Sequence, residues 1–274
     1  MRDKLALTSI ILLLPILTVV AIGCNAAGSI GGTSNNAISV TTTAAPTATP
    51  ENQEPPTLIG EEGMVTYYEM TLKDGTTLQY GVVLPDSFEA GQAYPILLAL
   101  PPGPQTQEMV AVGLDNYWAS EASKRGWIVL SPVAPNGTLF FQGSESLIPE
   151  FLARTAAQYR PEGDKYHLAG VSNGGISAFR IALRNPELFH SVMVLPGFPY
   201  TGEEMQNLVA LKDIPVAMFV GESDTSWVQR MEQTEETLTG LGGQVSLEIV
   251  PNEEHVIRSL AGGEKLFDIL DSFR

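Results

Sequence analysis

One cysteine in 274 residues, Cys24, leaves the chain without an internal disulfide, without a thiolate metal site and without a cysteine nucleophile in its folded part. Its core must therefore be stable by burial alone. The three histidines, His167, His190 and His255, are scattered and show no ligand spacing, so neither a metal nor a cofactor is expected. Basic residues are scarce as well: 15 Lys and Arg stand against 31 Asp and Glu, a formal net charge of −16. A surface of that sign repels phosphate backbones and anionic headgroups, which speaks against nucleic acid as a partner. Solubility accounts for most of this acidity, and no substrate preference is read from it.

What is present begins with a long apolar run. Arg2 and Lys4 precede Leu5–Ile22, and the run ends at Ala21-Ile22-Gly23-Cys24. This resembles a bacterial lipoprotein signal. The resemblance implies removal of residues 1–23, lipidation of Cys24, and an exported chain anchored by that lipid to the outer face of a bacterial membrane. The alternative is an uncleaved membrane anchor, against which Pro15 and the modest length of the run argue. Residues 24–56 are rich in Thr, Ser, Ala, Asn, Gly and Pro. So few large apolar side chains cannot offset the entropy of ordering, and a disordered tether is expected. Residues 57–274 remain for one globular domain.

Within the domain, strand and helix patterns alternate. Met64–Leu84 suits two antiparallel strands joined at Lys73-Asp74-Gly75-Thr76. Tyr94–Leu100 is a continuous apolar run of the kind buried on both faces of a sheet. A helix from about Glu108 to Arg125, a strand at Trp127–Leu130 and a helix at about Glu150–Tyr159 follow. Strands at Lys165–Ala169, Ser191–Leu195, Pro215–Val220 and Val245–Val250 are then separated or followed by helices at Ile176–Leu183, Ser226–Leu241 and Ile257–Phe273. That order predicts an α/β fold, a mostly parallel sheet with helices on both faces. The long loop from Pro132 to Gly143 leaves the carboxyl end of its strand, the edge where ligands bind. Phe140 and Phe141 in it either line a substrate pocket or pin the loop to the core.

Gly170-Val171-Ser172-Asn173-Gly174-Gly175 fits G-x-S-x-G with one glycine more. Placed between a strand and a helix, such a serine sits on a sharp, strained turn for which small neighbours make room. Its hydroxyl stands clear of the sheet, over a helix N-terminus that favours developing negative charge. A serine hydroxyl needs a base, and the base needs an orienting acid. His167 lies inside the strand before the turn, and His190 starts the next strand, at the wrong edge of a parallel sheet. His255, in Pro251-Asn-Glu-Glu-His just past the last strand, is the candidate base. Asp224, after the Pro215 strand and a glycine, is the candidate acid, with Glu222 in the same loop as the alternative. Glu253 and Glu254 are too close to His255 in sequence to orient it comfortably.

The chain order Ser172, Asp224, His255 resembles that of the α/β-hydrolase fold. The stretch Gly-Val-Ser-Asn-Gly-Gly-Ile-Ser-Ala-Phe-Arg, followed by Asn185-Pro-Glu-Leu-Phe, is similar to the polyhydroxybutyrate-depolymerase and feruloyl-esterase branch. The resemblance implies hydrolysis of carboxylic esters of hydroxy acids, phenolic acids or acylated sugars through an acyl-enzyme on Ser172. It also implies an oxyanion hole built from the Asn173 N–H and a second N–H of the loop Leu100–Thr106. Pro101, Pro102 and Pro104 cannot donate. That leaves Gly103 or Gln105, with Gln105 favoured by alignment with the branch's Gln-Thr. The His255 loop departs from the depolymerases, lacking their Gly-Gly-His-Thr-Trp-Pro-like motif. Too few residues lie between Leu195 and Pro215 for a large lid, so an open cleft taking small or oligomeric esters is expected. A prolyl-oligopeptidase-like peptidase, or a tethered binding protein that does no chemistry, are the other readings.

Overall fold

The computed structural model describes residues 54–274. The expected signal, Cys24 and most of the expected tether lie outside the described residues. Among the described residues, no helix is long and apolar enough to cross a membrane.

In chain order the strands are β1 (Thr57–Glu62), β2 (Val65–Thr71), β3 (Thr77–Val83), β4 (Ala93–Tyr94) and β5 (Ile96–Leu100). Helices α1 (Gln107–Gly113) and α2 (Ala119–Arg125) lead to β6 (Ile128–Pro132), and α3 (Ile148–Thr155) leads to β7 (Arg160–Pro161). Next come β8 (Tyr166–Gly170), α4 (Asn173–Arg184), β9 (Phe189–Val194) and the short α5 (Gly202–Gln206). The described chain closes with β10 (Val216–Gly221), α6 (Thr225–Gly240), β11 (Val245–Val250) and α7 (Glu264–Ser272).

Nine strands form one sheet in the order β1-β2-β3-β6-β5-β8-β9-β10-β11. The β1, β2 and β3 strands are antiparallel, and the six from β6 to β11 run parallel. The parallel strands are apolar on both faces because helices cover both. Alternation with period two sorts their side chains. Ile96, Leu98 and Leu100 of β5 join Phe151 of α3, Phe179 of α4 and Met231 of α6 in one core cluster. Leu97 and Ala99 join Val110, Ala122 and Phe267 of α1, α2 and α7 in the other.

Several elements differ from the sequence expectation. Strand β1 was not expected; it is an exposed edge strand with an irregularity between Leu58 and Gly60. Pro95, which has no N–H to donate, divides the Tyr94 run, and Ala93–Tyr94 pairs instead with β7 in a separate two-stranded sheet. The helix expected over 108–125 is broken by a π-helical turn at Leu114–Trp118, which buries Leu114, Tyr117 and Trp118 together. The helix expected from Ile257 begins only at Glu264, because Gly262 and Gly263 take φ of +86° and +83°. At Gly263 a Cβ would stand 2.2 Å from the Tyr117 carbonyl oxygen. Between β9 and β10 lie α5 and a 3₁₀ turn at Asn207–Leu211, and no lid domain appears among the described residues.

His167 is a core residue in the middle of the sheet. Its Nδ1 meets Ser191 Oγ at 2.8 Å, and its ring packs edge-on against Trp127. Burial, reinforced by nearby His190 and Arg274, pushes its pKa down from 6.5 to about 3. The folded state thus declines a proton that the unfolded chain accepts below pH 6.5. The associated stability is present above pH 6.5 and is lost as pH falls towards 3. Chemical denaturation at pH 7 and pH 5 should show wild type losing roughly 2 kcal/mol more over that interval than His167→Gln. Equal losses would mean that the imidazole is charged in the fold.

Candidate active site

The chain has the α/β-hydrolase fold, and the carboxyl ends of its parallel strands carry the groups that sequence reasoning singled out. Between the end of β8 at Gly170 and the start of α4 at Asn173, only Val171 and Ser172 make the turn. Ser172 adopts φ 57° and ψ −116°, outside the usual regions for a residue with a side chain. Direct backbone packing holds it there. A Cβ on Gly170 would lie 2.1 Å from Gly174 O, one on Gly174 2.2 Å from Leu100 O, and one on Gly175 2.1 Å from Pro196 O. Val171 N–H donates to Leu100 O (3.2 Å) and Ser172 N–H to Leu195 O (3.3 Å), tying the turn to both neighbouring strand ends.

Ser172 occupies the N-cap position of α4 but does not cap it. Its hydroxyl meets His255 Nε2 at 2.8 Å. Asp224 is likewise the N-cap of α6 without capping it, and its Oδ2 meets His255 Nδ1 at 2.5 Å. A carboxylate can only accept, so the imidazole proton sits on Nδ1 and Nε2 is left to accept from Ser172. The Asp224 side chain is 14% exposed and that of His255 40%, so the carboxylate is sheltered while the imidazole is open to solvent. The structure therefore brings Ser172, His255 and Asp224 into one hydrogen-bonded chain.

The loop carrying His255 leans directly on the end of β10. A Cβ on Gly221 would lie 2.0 Å from Glu254 O, and Ser223 N–H donates to Glu253 O at 3.0 Å. Glu222, the alternative acid, does not reach the imidazole; its Oε2 accepts from Asn252 N–H at 3.1 Å. The Glu253 carboxylate accepts from the N–H groups of Arg258 (3.1 Å) and Ser259 (2.8 Å), which hold its pKa below the usual range. His190 is remote from this chain, with Nε2 against Glu162 O at 3.2 Å. Sequence reasoning missed Trp227 and Phe198. The Trp227 indole packs edge-on against the His255 ring at 4.8 Å between centroids, and Phe198 stands edge-on to Trp227 at 4.7 Å. A large aromatic three residues past the acid, in the first turn of α6, was the available signal.

Two expectations are corrected. The Gln105 N–H is not free for an oxyanion, because it donates to Pro102 O at 3.1 Å inside its own turn. Gly103, at φ +55°, instead accepts at its carbonyl from Asn173 Nδ2 (2.9 Å), and its N–H has no hydrogen bond among the described residues. The Asn173 N–H, at the start of α4, has none either. Phe140 lines no pocket: it is wholly buried in the core cluster. Phe141 is also buried and packs against Tyr200, while its carbonyl accepts from Arg180 on α4. Both rings pin the loop after β6.

Residues 106–239 match the "Putative esterase" family. The matched stretch holds Ser172, Asn173 and Asp224 and ends before His255. No curated protein matches the chain. Among solved structures, the chain is similar to a thermostable esterase at 17% identity and a TM-score of 0.59, with 69% of this chain and 55% of that one covered. The chain thus spans about half the length of that esterase. It is also similar to an S-formylglutathione hydrolase from Agrobacterium tumefaciens at 17% identity and a TM-score of 0.62, covering 79% and 98% of the two chains. A ferulic acid esterase is 18% identical with a TM-score of 0.58, covering 76% and 97%. At such identities the likeness concerns the fold.

The contact at Gly221 gives a direct test of how the His255 loop is held. Gly221→Ala should lower stability by about 1–3 kcal/mol or more, since overpacking here meets backbone rather than a yielding side chain. Gly240→Ala, where a Cβ meets nothing within 4 Å, should stay within about 1 kcal/mol of wild type. Thermal melts of the two variants should separate, and coincident melts would refute the tight approach.

Proposed function

We propose that this chain is an exported serine esterase, a carboxylesterase-like hydrolase that works through an acyl-enzyme on Ser172. The observation that carries the reading is the hydrogen-bonded chain from Ser172 Oγ through His255 to Asp224 at the carboxyl edge of the sheet. The match to esterases over residues 106–239 supports an ester as the bond cleaved.

Ser172 Oγ attacks the ester carbonyl carbon as its proton passes to His255 Nε2. Asp224 keeps the other ring proton on Nδ1 and stabilises the imidazolium that forms. The carbonyl oxygen becomes an oxyanion, held by the N–H groups of Asn173 and Gly103. Each such donor lowers the barrier by about 3 kcal/mol. When the tetrahedral adduct collapses, the carbon–alkoxy bond breaks and His255 returns the proton to the leaving alcohol. Water then attacks the acyl-enzyme, again losing its proton to His255, and the acid departs as Ser172 regains its hydrogen.

An exposed base without a lid domain among the described residues suits small or oligomeric esters reaching the site from solution. The similarity of the elbow segment to depolymerases and feruloyl esterases favours acids carrying a hydroxyl, phenolic acids or acylated sugars. A lipid on Cys24 and a tether over residues 24–56 would hold the domain on the outer face of a bacterial membrane.

A fluorophosphonate probe should label wild type and leave Ser172→Ala unlabelled. Asp224→Asn should lower kcat on nitrophenyl esters by about 10⁴-fold, because the imidazole would take the wrong tautomer. An unlabelled wild type would favour the binding-protein reading, and faster cleavage of peptides than of esters the peptidase reading. For the anchor, labelled palmitate should enter the membrane-bound wild type and be absent from Cys24→Ala.

A further inference from the structure

Gln105 is wholly buried, and its backbone sits at φ +55°, a conformation that residues with a side chain rarely adopt. Burial of an amide and a left-handed backbone are both unfavourable unless local bonds compensate. Here all four polar groups of the residue are engaged. Its N–H donates to Pro102 O (3.1 Å), and its carbonyl accepts from Ala134 N–H (2.8 Å). In the side chain, Nε2 donates to Ser177 Oγ (3.0 Å) and Oε1 accepts from Phe140 N–H (2.9 Å).

The direction of the Ser177 bond is fixed. Ser177 Oγ gives its own proton to Asn173 O at 2.8 Å, so towards residue 105 it can only accept. Residue 105 must therefore donate on one side of its side-chain head and accept on the other. A glutamine amide does both, whereas an ionised glutamate cannot donate and a methionine cannot donate and accepts only weakly.

These partners belong to three segments that meet at Gln105. Pro102 lies in the turn that carries Gly103. Ser177 lies on α4, whose first residue is Asn173. Ala134 and Phe140 lie in the loop after β6. From the other side, Asn173 Nδ2 grips the Gly103 carbonyl. Gly103 is thus held between the Asn173 side chain and the turn closed by Gln105.

We infer that Gln105 is a positioning residue for the ester hydrolysis proposed above, fixing Gly103 so that its N–H and that of Asn173 converge on one oxyanion. The inference rests on the serine-esterase reading. Gln105 itself touches no reacting atom. Oxyanion donors act on charge that develops in the transition state, so misplacing one lowers kcat and leaves ground-state binding almost untouched.

Steady-state hydrolysis of 4-nitrophenyl butyrate by the full chain tests this in three variants, with melting temperatures measured alongside. Gln105→Met should lose about 100-fold in kcat with KM within about threefold of wild type. Gln105→Glu can donate to Ser177 only while its carboxyl is protonated, so its kcat should fall with rising pH along a limb that wild type lacks. Ser177→Ala, the milder change, should lose about tenfold and add little to Gln105→Met, because both cut the same link. The inference is overturned if wild type is active and Gln105→Met keeps its kcat. It is equally overturned if kcat falls only as melting temperature falls and Gln105→Glu keeps the wild-type pH profile. A wild type that neither hydrolyses the ester nor takes up a fluorophosphonate overturns the esterase reading itself, and the inference with it.

Discussion

The backbone of Ser172 is the constraint on which the rest of the site depends. A residue with a side chain held at φ 57° and ψ −116° costs of order 1–3 kcal/mol and persists only where its surroundings over-determine it. The surroundings here are other stretches of backbone. Gly170 lies against Gly174, Gly174 against the end of β5, and Gly175 against Pro196 and Gly197, each closer than a Cβ would permit. Those contacts set how deeply α4 sits on the sheet and therefore how far its first N–H groups stand from the strand ends. They also turn the serine hydroxyl away from its own helix. An N-cap serine ordinarily bonds the second or third N–H of its helix, and this one reaches His255 instead.

Asp224 repeats the arrangement on the other side. It too occupies an N-cap, and its carboxylate also leaves its helix for the imidazole. What brings His255 within reach is again a bare glycine, Gly221, on which the Glu253–Glu254 backbone rests. The acidic residues around the imidazole divide by function: one orients the ring, while Glu222 and Glu253 bind backbone N–H groups and stiffen the loop. Trp227 closes one flank of the ring, supported by Phe198 and by the Arg230 guanidinium over it. A domain without disulfides can hold such geometry because two apolar layers clamp the sheet that carries all three groups.

Legibility in the sequence followed the reach of each signal. Period-two patterning and continuous apolar runs located the central strands, since burial on both faces leaves a dense local signature. The edge strand β1 escaped because its side chains are mostly exposed and carry no such signature. The broken helix at Leu114–Trp118 kept a helical periodicity in the sequence, and only the joint burial of Leu114, Tyr117 and Trp118 accounts for its wider turn. At the site, Ser172, His255 and Asp224 could be nominated from their places after strands. Gln105 was misassigned because family alignment speaks of residue type, whereas the direction of an N–H depends on a turn closed by Pro102.

The sequence by itself determined the layered α/β architecture, the glycine-flanked serine and the order in which serine, acid and base occur. These are local properties: apolar period, small residues at a turn, and position relative to a strand. Tertiary structure alone brought Asp224 rather than Glu222 to the imidazole and turned Phe140 and Phe141 into core, while a local turn bond to Pro102 O took the Gln105 N–H. The first two outcomes depend on where a polar group or ring meets residues distant in sequence, across the strand ends and the loops that leave them. The strain at Ser172 belongs to both levels. The glycines that permit it are written in the chain, and the contacts that enforce it exist only once the strand ends have packed together.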